Sequence, residues 1–292
     1  IGFPLIQSPT CGCMIERQAM YLAPIDQLPP WAKMWIVAFA LFGFFKWCTW
    51  SHRASRYQYV GPAKQLAYFI AWVGFDANEF FAPTAPEVKA PAHEWLVALG
   101  QTLVGAGLLW GGIRWLPADR PALIGAAGFA GIILLLHFGL FRLLALAWRR
   151  AGAGVQPIMD RPFMATSLSD FWGRRWNRAY RRISFEYFFR PFVRRFGPAI
   201  GTQLAFVASG LIHESVISFP AGAGYGGPTA YFAIQGLGLL LERTGPVRKI
   251  MRNPLCGWLY TAAFVLGPAG LLFHVPFLTR VIAPFLELIG AR

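Results

Sequence analysis

Two ionisable side chains, His213 and Glu214, stand near the far end of an otherwise uncharged apolar stretch, PAIGTQLAFVASGLIHESVISFP. Ionisable groups inside lipid are costly and mark function by default. The apolar run from Pro198 to Phe219 carries no charge ahead of the pair and has about the length needed to cross a bilayer core. His213 is therefore expected within the membrane, not in a loop. A neutral imidazole there is the form a general base requires, and a proton acceptor in a dry chamber points to acyl, proton or ion chemistry. Glu214 follows by about 100° around a helix, so it should point elsewhere, toward an arginine or a backbone group. A third polar residue is Asn177, in SDFWGRRWNRAYRRISFEYFFRPFVRR. Its carboxamide sits beside Trp176 on the aromatic side of the segment, where it needs a partner or a substrate.

The elements that hold these residues follow from composition. Of 292 residues 56% are hydrophobic and 14% charged, with mean hydropathy +0.45, which would leave a soluble fold too much apolar surface to bury. An all-α, polytopic membrane protein is expected, with seven to nine transmembrane or re-entrant helices around an internal chamber. The net charge of +14 comes mainly from arginines clustered between apolar segments, the pattern of loops kept on the cytoplasmic side. These basic residues border spans and form no separate domain, which argues against nucleic acid binding. Cys11, Cys13, Cys48 and Cys256 lack paired metal-ligand spacing, so no metal site is expected. No cleavable leader is expected either, since the first long apolar run begins at Trp31.

Candidate spans fall at 31–50, 95–116, 122–148, 198–219, 228–242, 256–273 and 276–289. The intervening AYFIAWVGFDANEFFAP is apolar but broken by Asp76, Asn78 and Glu79, and reads as re-entrant or interfacial. Placing Arg149, Arg150, Arg161 and the arginines at 174–195 in the cytoplasm sends the His213 helix outward and the N-terminus outside. From Asp170 to Arg195 helical spacing sets Trp172, Trp176, Tyr180, Ile183 and Tyr187 on one face and arginines on another, a basic amphipathic cytoplasmic helix. Ser167 or Ser169 supplies its N-cap. No internal repeat or soluble domain is visible, so residues 1–292 read as one membrane domain.

SLSDFWGRRWN at 167–177, SGLIHE at 209–214, YFAIQGLGLLLE at 231–242 and FHVPFL at 273–278 together resemble the wax-synthase branch of the membrane-bound O-acyltransferase superfamily. The likeness is clearest over 160–292, while AYFIAWVGFD resembles an upstream element with Val73 in place of the usual proline. The resemblance implies transfer of a fatty acyl group from acyl-CoA, as co-substrate, to the hydroxyl of a long-chain alcohol. Diacylglycerol, a sterol or a glycan remains an alternative acceptor, and a membrane transporter an alternative class. It further implies His213 as the base and Asn177 as the group that holds the acyl carbonyl or orients the acceptor, with neither cofactor nor metal. Trp172, Arg174, Arg175, Trp176, Arg178 and Gln235 join the substrate site on the same grounds. Two roles stay open for the arginines, including Arg181 and Arg182: CoA phosphates or lipid headgroups. Gln235, about two turns from Glu242, either lines the chamber or binds a neighbouring helix. His274 and His137 are expected to be structural, and His52 and His93 to lie in polar loops.

Overall fold

The computed structural model describes residues 27–83 and 90–292; Cys11 and Cys13 lie outside them. The described residues are helical apart from loops and one isolated bridge between Pro83 and Ala153. The helices in chain order are α1 (Pro30–Ser51), α2 (Pro62–Ile70), α3 (Ala77–Phe81) and α4 (Ala92–Trp110). Next come α5 (Pro121–Ile133) and α6 (Phe141–Arg150), joined by a π-helical stretch at Leu134–Leu140, then the short α7 (Leu168–Asp170), α8 (Arg181–Ile183) and α9 (Arg190–Phe196). The remainder comprises α10 (Pro198–Val216), α11 (Ser218–Ala221), α12 (Gly227–Leu241), α13 (Gly245–Ile250), α14 (Pro254–Leu266) and further helical turns to Leu288. A proline opens α1, α2, α5, α10 and α14, where its fixed φ suits the first turn and its missing N–H costs nothing.

Among the described residues, five helical stretches are long and apolar enough to cross a membrane: Pro30–Ser51, Ala92–Trp115, Pro121–Arg150, Pro198–Ala221 and Pro254–Leu272. They coincide with five of the seven spans read from hydropathy. The sixth, α12, is a 15-residue helix, and the seventh is the helical stretch from Val275 to Leu288. Large apolar side chains such as Phe39, Leu103 and Leu266 are more than 60% exposed, which suits a surface solvated by lipid tails. Helices approach closely where glycine leaves room: a Cβ on Gly210 of α10 would lie 2.6 Å from the Thr229 Cα of α12. Such small-residue contacts replace the hydrophobic driving force that lipid removes.

The interrupted element at 62–81 is two short helices with a non-helical link at 71–76. Lys46 of α1, fully buried, ties α2 to the link by donating to Tyr68 O at 2.7 Å and Gly74 O at 2.6 Å. The centroid of the Tyr68 ring lies 3.7 Å from the same Nζ. Asp76 then caps α3, accepting from Glu79 N at 3.1 Å, and pairs with Arg182 at 2.6 Å.

One expectation needs correcting. The arginine-rich stretch from Asp170 is not a continuous helix: it is π-helical at Phe171–Arg175, breaks at Trp176 and Asn177, and resumes from Arg178 with a second π-helical stretch at Ser184–Phe189. The break has a physical cause, because Trp176 is extended (φ −90°, ψ 130°) and Asn177 left-handed (φ 41°, ψ 57°).

Candidate active site

The SDFW segment is clamped at both ends by α12 and the residue that follows it. Ser167 is the N-cap, accepting from Asp170 N at 3.0 Å. Behind it the buried Glu242 carboxylate accepts from Leu168 N (2.8 Å), Ser169 N (3.0 Å) and the Ser169 hydroxyl. Two turns earlier, Gln235 Oε1 accepts from Trp172 Nε1 at 3.3 Å while its Nε2 donates to Phe264 O at 2.6 Å. Both ends of the fully buried Gln235 are thus spent on neighbouring elements. Gln235 joins α12 to α14 and holds the Trp172 indole.

The break that carries Asn177 is braced by the preceding loop. Asp160 N donates to Arg175 O at 2.9 Å, Arg178 N to Ile158 O at 2.8 Å, and Asn177 N to the buried Met159 thioether at 3.3 Å. Asparagine is among the few residues other than glycine that tolerate the left-handed region, so part of the reason for Asn here is backbone geometry. Its carboxamide makes no side-chain hydrogen bond among the described residues and stays available. On the other side Phe75 packs on Tyr180 at 4.7 Å between ring centroids, next to the Asp76–Arg182 pair.

His213 lies in the last turn of α10. Its Nδ1 is 2.7 Å from Ser209 O. A carbonyl only accepts, so Nδ1 carries the proton and Nε2 is left with its lone pair, the tautomer a base needs. The ring rests on Phe232 at 4.4 Å, Phe232 on Trp172 at 5.6 Å, and Phe171 stacks on Trp176 at 5.4 Å. The elements bearing His213 and Asn177 therefore meet through aromatic rings, and no hydrogen bond joins the two residues.

The remaining polar residues divide clearly. Glu214 Oε1 accepts from Thr229 N (3.2 Å) and Oγ1 (3.0 Å), the backbone-type partner expected, while Oε2 is buried without one. Arg174 and Arg175 both donate to Asp170, at 2.8 and 2.5 Å, so much of their charge is met within the chain. His274 Nδ1 accepts from Phe277 N at 3.2 Å; its Nε2 thus carries the proton and donates to Ser218 Oγ, also at 3.2 Å. That tautomer cannot activate Ser218, which fits a structural role. His137 sits in the π-helical stretch 134–140. His52 caps α1 with Nδ1 2.8 Å from Cys48 O, while His93, expected in a loop, lies in the first turn of α4. Sequence reasoning missed Lys46 and the Asp76–Arg182 pair. A lone lysine inside the run FGFFKWCTW was the available signal.

Burial, with Asp76 adding to it, raises the Glu79 carboxyl to about 7, close to the arginines that follow Asn177. Burial likewise lifts the Tyr180 phenol to about 12, so it remains protonated at neutral pH.

Residues 155–234 match the model of the membrane bound O-acyl transferase family. The chain is 35% identical over 156 residues to a probable long-chain-alcohol O-fatty-acyltransferase 7 of Arabidopsis thaliana, covering 49% of this chain and 46% of that protein. It is 33% identical over 144 residues to a long-chain-alcohol O-fatty-acyltransferase of Simmondsia chinensis, covering 44% and 40%. An Arabidopsis thaliana acyl-CoA–sterol O-acyltransferase 1 matches at 38% over 72 residues, 22% of this chain and 21% of that protein. The chain spans about half the length of the curated relatives it matches. The matched region contains the SDFW segment, Asn177 and His213, so the resemblance read from the motifs is borne out: the chain is similar to the long-chain-alcohol O-fatty-acyltransferases, and its residues 155–234 match the membrane bound O-acyl transferase family.

Proposed function

We propose that the protein transfers a fatty acyl group from acyl-CoA to a long-chain alcohol, forming a wax ester. His213 Nε2 takes the hydroxyl proton as the alcohol oxygen attacks the thioester carbonyl, and CoA leaves as the thiol once the tetrahedral intermediate collapses. The Asn177 carboxamide donates to the carbonyl oxygen as negative charge develops there, or orients the acceptor. Transfer is direct, without a covalent enzyme intermediate, a cofactor or a metal. The arginine-rich loops face the cytoplasm, where acyl-CoA is supplied, and Trp172 and Trp176 line the approach of the acyl chain. The observation that carries this reading is the His213 tautomer: Nδ1 is tied to Ser209 O, and Nε2 is free in a helix that crosses the apolar layer.

A sterol is the second acceptor to consider, because one relative of comparable identity bears a sterol acyltransferase name. Purified protein supplied with labelled acyl-CoA and either hexadecanol or a sterol separates the two by product. His213→Ala is expected to lower ester formation by about a hundredfold or more without loss of the folded protein. Near-normal ester formation by His213→Ala would falsify the base assignment. Absence of CoA release with any lipid alcohol would retire the enzyme reading.

A further inference from the structure

A cleft of about 410 Å³ opens beside the N-cap of the SDFW segment, lined by Ser167, Ser169, Glu242, Arg243, Arg248 and Arg252 among others. The three guanidiniums are exposed, and none has a carboxylate within ion-pair distance among the described residues. Glu242, the one acid in the lining, is already taken up by two backbone N–H groups and a hydroxyl. The cleft therefore presents three unspent cations against one satisfied anion. The contrast with Arg174 and Arg175 is direct, since Asp170 engages both. Phosphate binding expected of the SDFW arginines from sequence is better served one step away, by arginines brought there by α13 and its flanks. Guanidinium forks match phosphate oxygens, and Ser167 and Ser169 add hydroxyls at the same mouth.

We propose that this cleft is a phosphate-binding site in which Arg243, Arg248 and Arg252 hold a phosphate ester, either the phosphates of the CoA moiety or a phospholipid headgroup at the same face. The CoA assignment rests on the acyl-CoA reading above; the site itself does not. Placing phosphate there sets the donor's polar end against the residues that cap the segment bearing Trp172 and Asn177.

The test uses the full chain purified in detergent or in phosphatidylcholine nanodiscs, with CoA, dephospho-CoA and nanodiscs containing phosphatidylinositol phosphate as probes. The double variant Arg248→Gln/Arg252→Gln is compared with Arg120→Gln, which removes an exposed charge elsewhere. If CoA is the ligand, the double variant weakens CoA binding about tenfold or more, and added salt weakens the wild type, because the contacts are charge-assisted but partly screened. Arg248→Lys/Arg252→Lys recovers part of that affinity. If the headgroup is the ligand, CoA affinity is unchanged and the preference for phosphoinositide-containing nanodiscs is lost. Equal behaviour of the double variant and Arg120→Gln toward both probes overturns the site. Ester formation is followed in parallel. A wild type that binds CoA but forms no ester sinks the proposed reaction and leaves the site standing. An unchanged KM for acyl-CoA together with unchanged binding of both probes in the double variant sinks the site and leaves the reaction standing.

Discussion

Replacing Lys46 with methionine keeps the length of the side chain and removes its donors, which isolates what the buried amine does. In the wild type it satisfies Tyr68 O and Gly74 O and lies 3.7 Å from the Tyr68 ring. Leaving two buried carbonyls without donors costs about 1–3 kcal/mol each. Removing the need to bury a polar amine offsets part of this, so the net destabilisation expected is about 2–4 kcal/mol. For a chain of this size that corresponds to a drop of about 5–10 °C in the melting temperature in detergent. The loss should be local first: hydrogen exchange should rise in peptides covering 68–76 and next in 178–183, which lean on Phe75 and Asp76. Helix α10, which carries His213, should keep its protection. A Lys46→Met protein that melts within about 1 °C of the wild type, with the 68–76 element equally protected, would refute the reasoning.

Two further outcomes follow from the same structure. Gly210→Ala puts a methyl 2.6 Å from the Thr229 backbone, so α10 and α12 must separate; the variant should melt lower and lose turnover through displacement of Phe232 from His213, and normal values for both would show that the helices adapt. Glu79 is raised from 4.5 to about 7 in the folded chain. The folded state therefore holds this proton more tightly than the unfolded one, and stability falls as pH rises from about 4.5 to about 7. Glu79→Gln, which mimics the protonated form, should match the wild type near about pH 4.5 and melt higher at about pH 8, and parallel curves at both ends would remove Glu79 from the pH response.

The sequence made the long helices legible because hydropathy over about twenty residues reports directly on burial in lipid. It also made His213 legible, since a charge-free run leaves an ionisable side chain conspicuous. The Asn177 break was not readable from helical spacing. Trp172, Trp176 and Tyr180 fit a 3.6-residue period whether or not the chain continues through them, and the interruption depends on partners at 158–160. The double engagement of Gln235 was hidden for a similar reason, because both acceptor and donor come from other elements. Lys46 was readable as an anomaly and not as a bond, since its carbonyl partners lie 22 and 28 positions away.

The left-handed backbone at Asn177 restricts which substitutions can be compared there. Alanine, the usual choice for deleting a side chain, disfavours that conformation by about 1 kcal/mol and so removes the carboxamide and disturbs the break in one stroke. Glycine accepts the conformation without strain, and aspartate tolerates it while exchanging a donor amide for a carboxylate. Only that small set separates the shape of the chain at this point from the chemistry of the group it carries, and natural variation at position 177 should be confined to the same residues wherever the break is kept.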